Sequence, residues 1–66
     1  MHCFVNGVRR ELEAPVTVAA LVEELGLAGK RIAVERNGEI VARSLHGDTR
    51  LDDDDRIEIV AAVGGG

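Results

Sequence analysis

Sixty-six residues make one domain, near the lower size limit at which a single core folds without staples, since a chain this short buries only about 60% of its surface. That leaves little room for a catalytic cleft. The formal charge of -4 comes from twelve carboxylates against eight bases, with arginines scattered at 9, 10, 31, 36, 43, 50 and 56 and no basic stripe. A nucleic-acid binder needs clustered bases and stacking aromatics, and Phe4 is the sole aromatic, so nucleic acid is excluded as a partner. No apolar run approaches the ~20 residues of a membrane span, and the first residues lack the basic start and apolar stretch of a signal peptide. The expected setting is cytoplasmic, and the single Cys3 rules out an intramolecular disulfide.

In chain order, Cys3-Phe4-Val5 and Val8 to Leu12 flank Asn6-Gly7, the pair that most readily takes the two positive φ angles of a type I′ turn. This predicts a β-hairpin. Alternation sends Cys3 and Val5 to one face, with Val8 and Leu12 as neighbours, and leaves Phe4 exposed on the other. Pro15 stops the strand, and Thr17 is placed to cap a helix whose Val18, Leu21, Val22 and Leu25 share one face. Val16 and Leu21 stand at staple positions around that cap. Gly26 supplies a left-handed helix end, and Leu27 folds back on Val22.

Ile32 to Arg36 and Glu39 to Val41 bracket a second turn pair, Asn37-Gly38, which predicts a second hairpin. Residues 42–51 are irregular, and the loop ends in Asp52-Asp53-Asp54-Asp55, read as a solvated acidic turn. The stretch Arg56 to Val63 is the most continuously apolar and suits a central strand. Ile57 and Ile59 then face the core, while Glu58, Val60 and Ala62 face the open side. The order strand, strand, helix, strand, strand, strand implies an α+β domain over residues 1–63, one helix lying across one face of a mixed sheet of four to five strands. Phe4, Val60 and Ala62 are expected on the uncovered face, as a modest apolar patch near the chain end.

Residues 64–66, Gly64-Gly65-Gly66, form the last distinct segment. Glycine is the costliest residue to order, so a run of three does not serve stability. Two readings are open: a frayed terminus, or a thin arm whose bare carboxylate enters a channel too narrow for side chains. Fully extended, such an arm reaches roughly 10 Å beyond the folded body. His2, Cys3, His46 and aspartates 52 to 55 are potential metal ligands, but adjacent His2 and Cys3 point to opposite faces and the acidic run lacks the ligand alternation of a calcium loop. The bland reading is a buried small cysteine, two surface histidines and a solvated turn, with nothing near Cys3 in sequence to make it a nucleophile.

Taken together, certain stretches resemble the β-grasp, ubiquitin-like sulfur carriers, and among them those of the thiamine pathway. These are Val5-Asn6-Gly7, Thr17-Val18 with Leu21, Ala33-Val34-Glu35 with Asn37-Gly38-Glu39, Arg43-Ser44, Asp55 to Val60, and Ala62-Val63-Gly64-Gly65-Gly66. The likeness spans the chain. Two positions depart from the family pattern: His46 or its neighbour stands where a Trp is usual, and Asp54 where a Gly is usual.

The resemblance implies a carrier and not an enzyme. An E1-like adenylating enzyme would activate the Gly66 carboxylate using ATP and Mg²⁺, neither of which the carrier itself binds. A persulfide protein would donate sulfur, and the resulting thiocarboxylate would pass to thiazole synthase. Gly64 and Gly65 would occupy the partner's channel, and Phe4, Val60 and Ala62 would form the docking face. Carriers for molybdopterin or tRNA thiolation, modifiers conjugated to lysines, and a noncovalent β-grasp interaction module share the fold and remain alternatives.

Overall fold

Two Asn-Gly pairs fold the chain back on itself. Asn6 and Gly7 have φ of 50° and 82°, and Asn37 and Gly38 have 51° and 86°, the paired left-handed residues of a type I′ hairpin turn. The computed structural model describes residues 1–61. Within them run β1 (His2–Val5), β2 (Val8–Glu11), α1 (Val18–Glu24), β3 (Ile32–Arg36), β4 (Glu39–Val41), a 3-10 turn at Arg43–Leu45, and β5 (Asp55–Ala61). The strands form a single sheet in the order β2-β1-β5-β3-β4. β5 is parallel to β1 and antiparallel to β3, so the last strand in sequence is the middle strand in space.

One helix covers one face of this mixed sheet, and the core lies between them. Leu21, Ile57, Val18, Val34 and Cys3 are fully buried there, joined by Val5, Leu12, Val16, Val22, Leu51 and Ile59. Each fully buried aliphatic side chain contributes about 1.5–3 kcal/mol. Val8 is the exception to the predicted pattern. It pairs with Val5 and shares its face, but β2 is an edge strand beyond the helix, and Val8 is left 60% exposed.

Both helix ends are built as the sequence predicts. Thr17 Oγ1 accepts the amide of Ala20 at 3.2 Å, and Val16 and Leu21 are buried on either side of the cap. At the other end Gly26 N–H donates to Glu23 O and Leu27 N–H to Val22 O, both at 3.0 Å, with Gly26 at φ 74°. That is the paired closure of a Schellman motif.

The stretch from 42 to 54 is less loose than its composition suggests. Val18 and Ala19 donate their amides to Thr49 O and His46 O, both at 2.9 Å, and Leu51 donates to Val16 O at 2.9 Å. The loop therefore satisfies the orphan donors of the first helical turn that Thr17 does not reach. His46 is half-buried, its Nε2 3.1 Å from Val41 O, and not the free surface residue expected.

The acidic run also divides. Asp52, Asp53 and Asp54 are exposed, but Asp55 is only 6% exposed and opens β5. Its carboxylate accepts from Arg36 Nε at 2.7 Å, from the backbone amide of Asp52 at 2.8 Å and from Asn37 Nδ2 at 3.0 Å. A sequence-local view sees four like residues in a turn; the difference is that Asp55 is already in the sheet, opposite Cys3. Asp54 takes φ 68°, the left-handed conformation that glycine supplies most cheaply and that Asp tolerates better than most residues.

Burial opposes ionisation of Asp55, but the three donated hydrogen bonds and the Arg36 charge outweigh it and hold the carboxyl below its ordinary range. The stabilisation is therefore complete above the unfolded-state value near ~4 and is lost as the pH falls through the lower folded-state value. Asp55→Asn is expected to be about 1–3 kcal/mol less stable than the parent at neutral pH in urea denaturation. The gap should begin to narrow as the pH drops below ~4, where the unfolded carboxyl takes up its proton, and close only once the pH passes the lower folded-state value and the parent carboxyl is neutral as well.

Candidate functional site

The uncovered face of the sheet and the end of β5 are where the predicted site residues fall. Phe4 pairs with Arg56 across β1 and β5, and Val60 pairs with Ala33 across β5 and β3. Phe4, Arg56, Glu58 and Val60 therefore share the open face. Phe4 is half-buried and not exposed: the His2 ring meets it edge-on with centroids 5.8 Å apart, and the Arg56 guanidinium carbon stands 6.0 Å from its centroid. The reason is its place on an interior strand, with neighbours on both sides.

Val60 is 58% exposed. It stands four residues beyond the partner of Phe4, about 13 Å along the strand, with charged Arg56 and Glu58 on the same face between them. Phe4 thus marks the start of β5 and Val60 its end. The apolar neighbour of Val60 is Ala33, directly opposite; Ile40, 68% exposed on the same face, pairs with Glu35 and lies in register with Glu58, two strands away. Ile40 was not singled out from sequence, although the register of the Asn37-Gly38 turn places it there. Ala62, Gly64, Gly65 and Gly66 lie outside the described residues.

The end of β5 is held by the first hairpin. Asn6 Oδ1 accepts the amide of Ile59 at 2.8 Å, Asn6 Nδ2 donates to Ile59 O at 3.1 Å, and the Asn6 backbone amide donates to Ile57 O at 2.8 Å. Beside this clamp, a cleft of about 320 Å³ runs between β2 and the helix end, lined by Val5, Asn6, Val8, Arg10, Leu25, Leu27 and Ile59. Among the described residues that line it, Arg10 alone is ionisable, and these supply no acid–base pair.

His2, Cys3 and the acidic turn are engaged in structure. His2 Nε2 contacts the Asp54 carboxylate, and the His2 backbone amide donates to Asp53 Oδ1 at 2.9 Å, tying the acidic turn to β1. Among the described residues, no three His, Cys, Asp or Glu side chains gather to hold a metal ion. Cys3 has no exposed surface, and its Sγ lies 3.7 Å from Asp52 O. Burial, then the charges of Asp55 and Asp53, push its thiol above the ordinary value, so it is protonated at neutral pH and a poor nucleophile. No helix among the described residues is long and apolar enough to cross a membrane.

A five-stranded mixed sheet with a parallel central pair, antiparallel hairpins outside and one helix across one face defines the β-grasp class. Residues 3–66 match the ThiS family, and the chain belongs to it. It is similar over its full length to the crystal structure of a thiamine biosynthesis protein, ThiS, from Geobacter metallireducens, with a TM-score of 0.84 at 30% identity and both chains wholly covered. It is also 46% identical over 66 residues to a thiazole synthase of Paramagnetospirillum magneticum and 41% identical to one of Magnetococcus marinus. The whole chain aligns in each case but covers 20% of the relative, so it spans about a fifth of the length of those proteins.

The state of Cys3 has a direct consequence for labelling. Native protein at neutral pH should react with iodoacetamide at least about 100-fold more slowly than the same protein in denaturant. Equal rates would show the thiol to be open and ionised.

Proposed function

We propose that this chain is the sulfur carrier of thiamine thiazole synthesis, with Gly66 as the residue that bears the sulfur. The observation that carries the reading is the match of the ThiS family through residue 66, so that Gly64-Gly65-Gly66 falls inside the matched region and follows the central strand of the sheet. The pocket chemistry supports it indirectly: the side chains that would serve a catalyst are buried, paired or dispersed, which suits a protein whose own carbonyl is the reacting group.

The steps follow from carboxylate chemistry. A free carboxylate resists substitution because oxide is a poor leaving group. Attack of the Gly66 carboxylate on the α-phosphorus of ATP forms a mixed anhydride and releases pyrophosphate, and AMP is then a good leaving group. A persulfide sulfur adds to the carbonyl and AMP departs, leaving an acyl disulfide. A thiol reductant cleaves its S–S bond, leaving the thiocarboxylate on Gly66. Glycine at 65 and 66 keeps both faces of that carbonyl free of side chains. ATP, Mg²⁺ and the catalytic groups belong to an E1-like adenylating partner, and the persulfide to a separate donor protein. Thiazole synthase is the acceptor, a partner supported by the relatives in which a segment like this chain is part of a thiazole synthase polypeptide.

We place the docking face for the adenylating partner on the open side of the sheet, from Phe4 opposite the start of β5 to Val60 near its end, and assign Ala62 to it from the sequence pattern alone. Ile40, exposed on the same face two strands away, widens it. Residues 1–63 serve as the folded body in this reading, and residues 64–66 as the arm.

Intact-mass analysis after incubation with ATP, Mg²⁺, an adenylating enzyme and a sulfur source should show one oxygen exchanged for sulfur at the terminus. A chain lacking Gly65 and Gly66 should keep its melting temperature and show no exchange; undiminished transfer by that truncation would end the carrier reading. Val60→Asp, at an exposed site, should change stability by no more than about 0.5 kcal/mol. It should nonetheless weaken the complex with the adenylating enzyme about 10-fold or more in calorimetric titration.

A further inference from the structure

We infer that Asn6 is a positioning residue for the transfer chemistry: its side-chain amide pins Ile59 and so steadies the later half of β5, the strand that precedes Gly66 in the chain. The inference rests on the carrier reading above. A type I′ turn needs positive φ at both central residues, a demand that Gly or Asp meets as well as Asn. The turn alone therefore does not explain an amide at position 6.

What the amide adds is a strand-like contact. Asn6 Oδ1 accepts from the Ile59 N–H and Asn6 Nδ2 donates to the Ile59 C=O, so one side chain satisfies both backbone groups of one residue, as a neighbouring strand would. Asp accepts without donating, Gly does neither, and Gln is a methylene too long. Among the described residues, β1 registers with β5 at Cys3, Phe4 and Val5, opposite Asp55, Arg56 and Ile57. Asn6 extends that side by two residues, to Ile59, while β3 on the other side continues to Ala61.

The two ends of β5 are held unequally. At its start Asn37 Oδ1 accepts the Arg56 amide at 2.9 Å, reinforced by the Asp55 carboxylate and Arg36. Towards its end, the β1 side relies on Asn6. Without that clamp β1 secures the strand only to Ile57 and β3 alone holds it on to Ala61, so residues held on one side fray more readily and must be re-ordered when Gly66 is seated in a partner. Ordering each costs backbone entropy, a cost borne in binding and not at the reacting carbonyl, whose surroundings once seated are unchanged. KM for the carrier should respond, and kcat should not.

The test uses the full chain with Asn6→Gly, which keeps the turn and removes the clamp, and Asn6→Asp, which keeps the acceptor alone. Amide hydrogen exchange at Ile59 should accelerate about 10-fold or more in Asn6→Gly and remain slower in Asn6→Asp. In thiocarboxylate formation with the adenylating enzyme, KM should rise about 10-fold in Asn6→Gly at unchanged kcat, with Asn6→Asp recovering part of the loss. If Asn6→Gly does not fold, the same split in Asn6→Asp carries the test. Parental protection of Ile59 in both variants, or a freed Ile59 with unaltered KM, or a fall confined to kcat, would overturn the inference. A parent protein that gains no sulfur sinks the carrier reading and this role with it, while the exchange rates still report separately whether the clamp exists.

Discussion

The structure depends on β5 being held from both sides, by backbone pairing and, where that pairing ends, by side chains. Asn6 and Asn37 sit in two like turns on opposite flanks of this strand, and each sends its side-chain amide across to β5. The carboxylate of Asp55 then ties the start of β5 to Arg36, to Asn37 and to the Asp52 amide. A central strand has both neighbours to satisfy, and in a sheet of short strands backbone pairing runs out before β5 does. Side-chain amides supply the missing donors and acceptors. Because Ile57 and Ile59 project from this strand into the core, locking it also locks the packing beneath the helix.

Burial then decides which side chains are left for chemistry. In a domain this small, groups that look reactive in sequence are drawn into structure: Cys3 into the core, Asp55 into the network with Arg36, His46 against Val41 O, and His2 against the acidic turn. The cleft between β2 and the helix end carries apolar walls and a single arginine. The match of the ThiS family runs on through residue 66, beyond the residues that make these contacts.

The open face has a gradient along its central strand. Near the start of β5 it is aromatic and cationic, with Phe4 between His2 and Arg56; near the end it is aliphatic, with Val60 and Ala33. A partner that docks by burying apolar surface gains most at the second end, which is also the end from which the chain continues towards Gly66.

Local signals alone determined much of this protein. Asn-Gly twice, a Thr cap with Val16 and Leu21 around it, Gly26 followed by Leu27, and the apolar run of the last strand each encode a conformation through nearest-neighbour sterics and hydrogen bonding, and each is present as read. The family likeness was legible for the same reason, since it is carried by those turns and caps together with the glycines at 64 to 66. Only the tertiary structure decided what lies beside what. Val8 follows the right alternation yet faces solvent because its strand is at an edge, Phe4 follows it yet is half-covered because its strand is not, and Asp55 differs from three identical neighbours only in being opposite Cys3 within the sheet. Exposure and hydrogen-bond partnership are properties of strand order, and strand order is set by contacts some fifty residues apart, such as Asn6 with Ile59, which no local pattern contains.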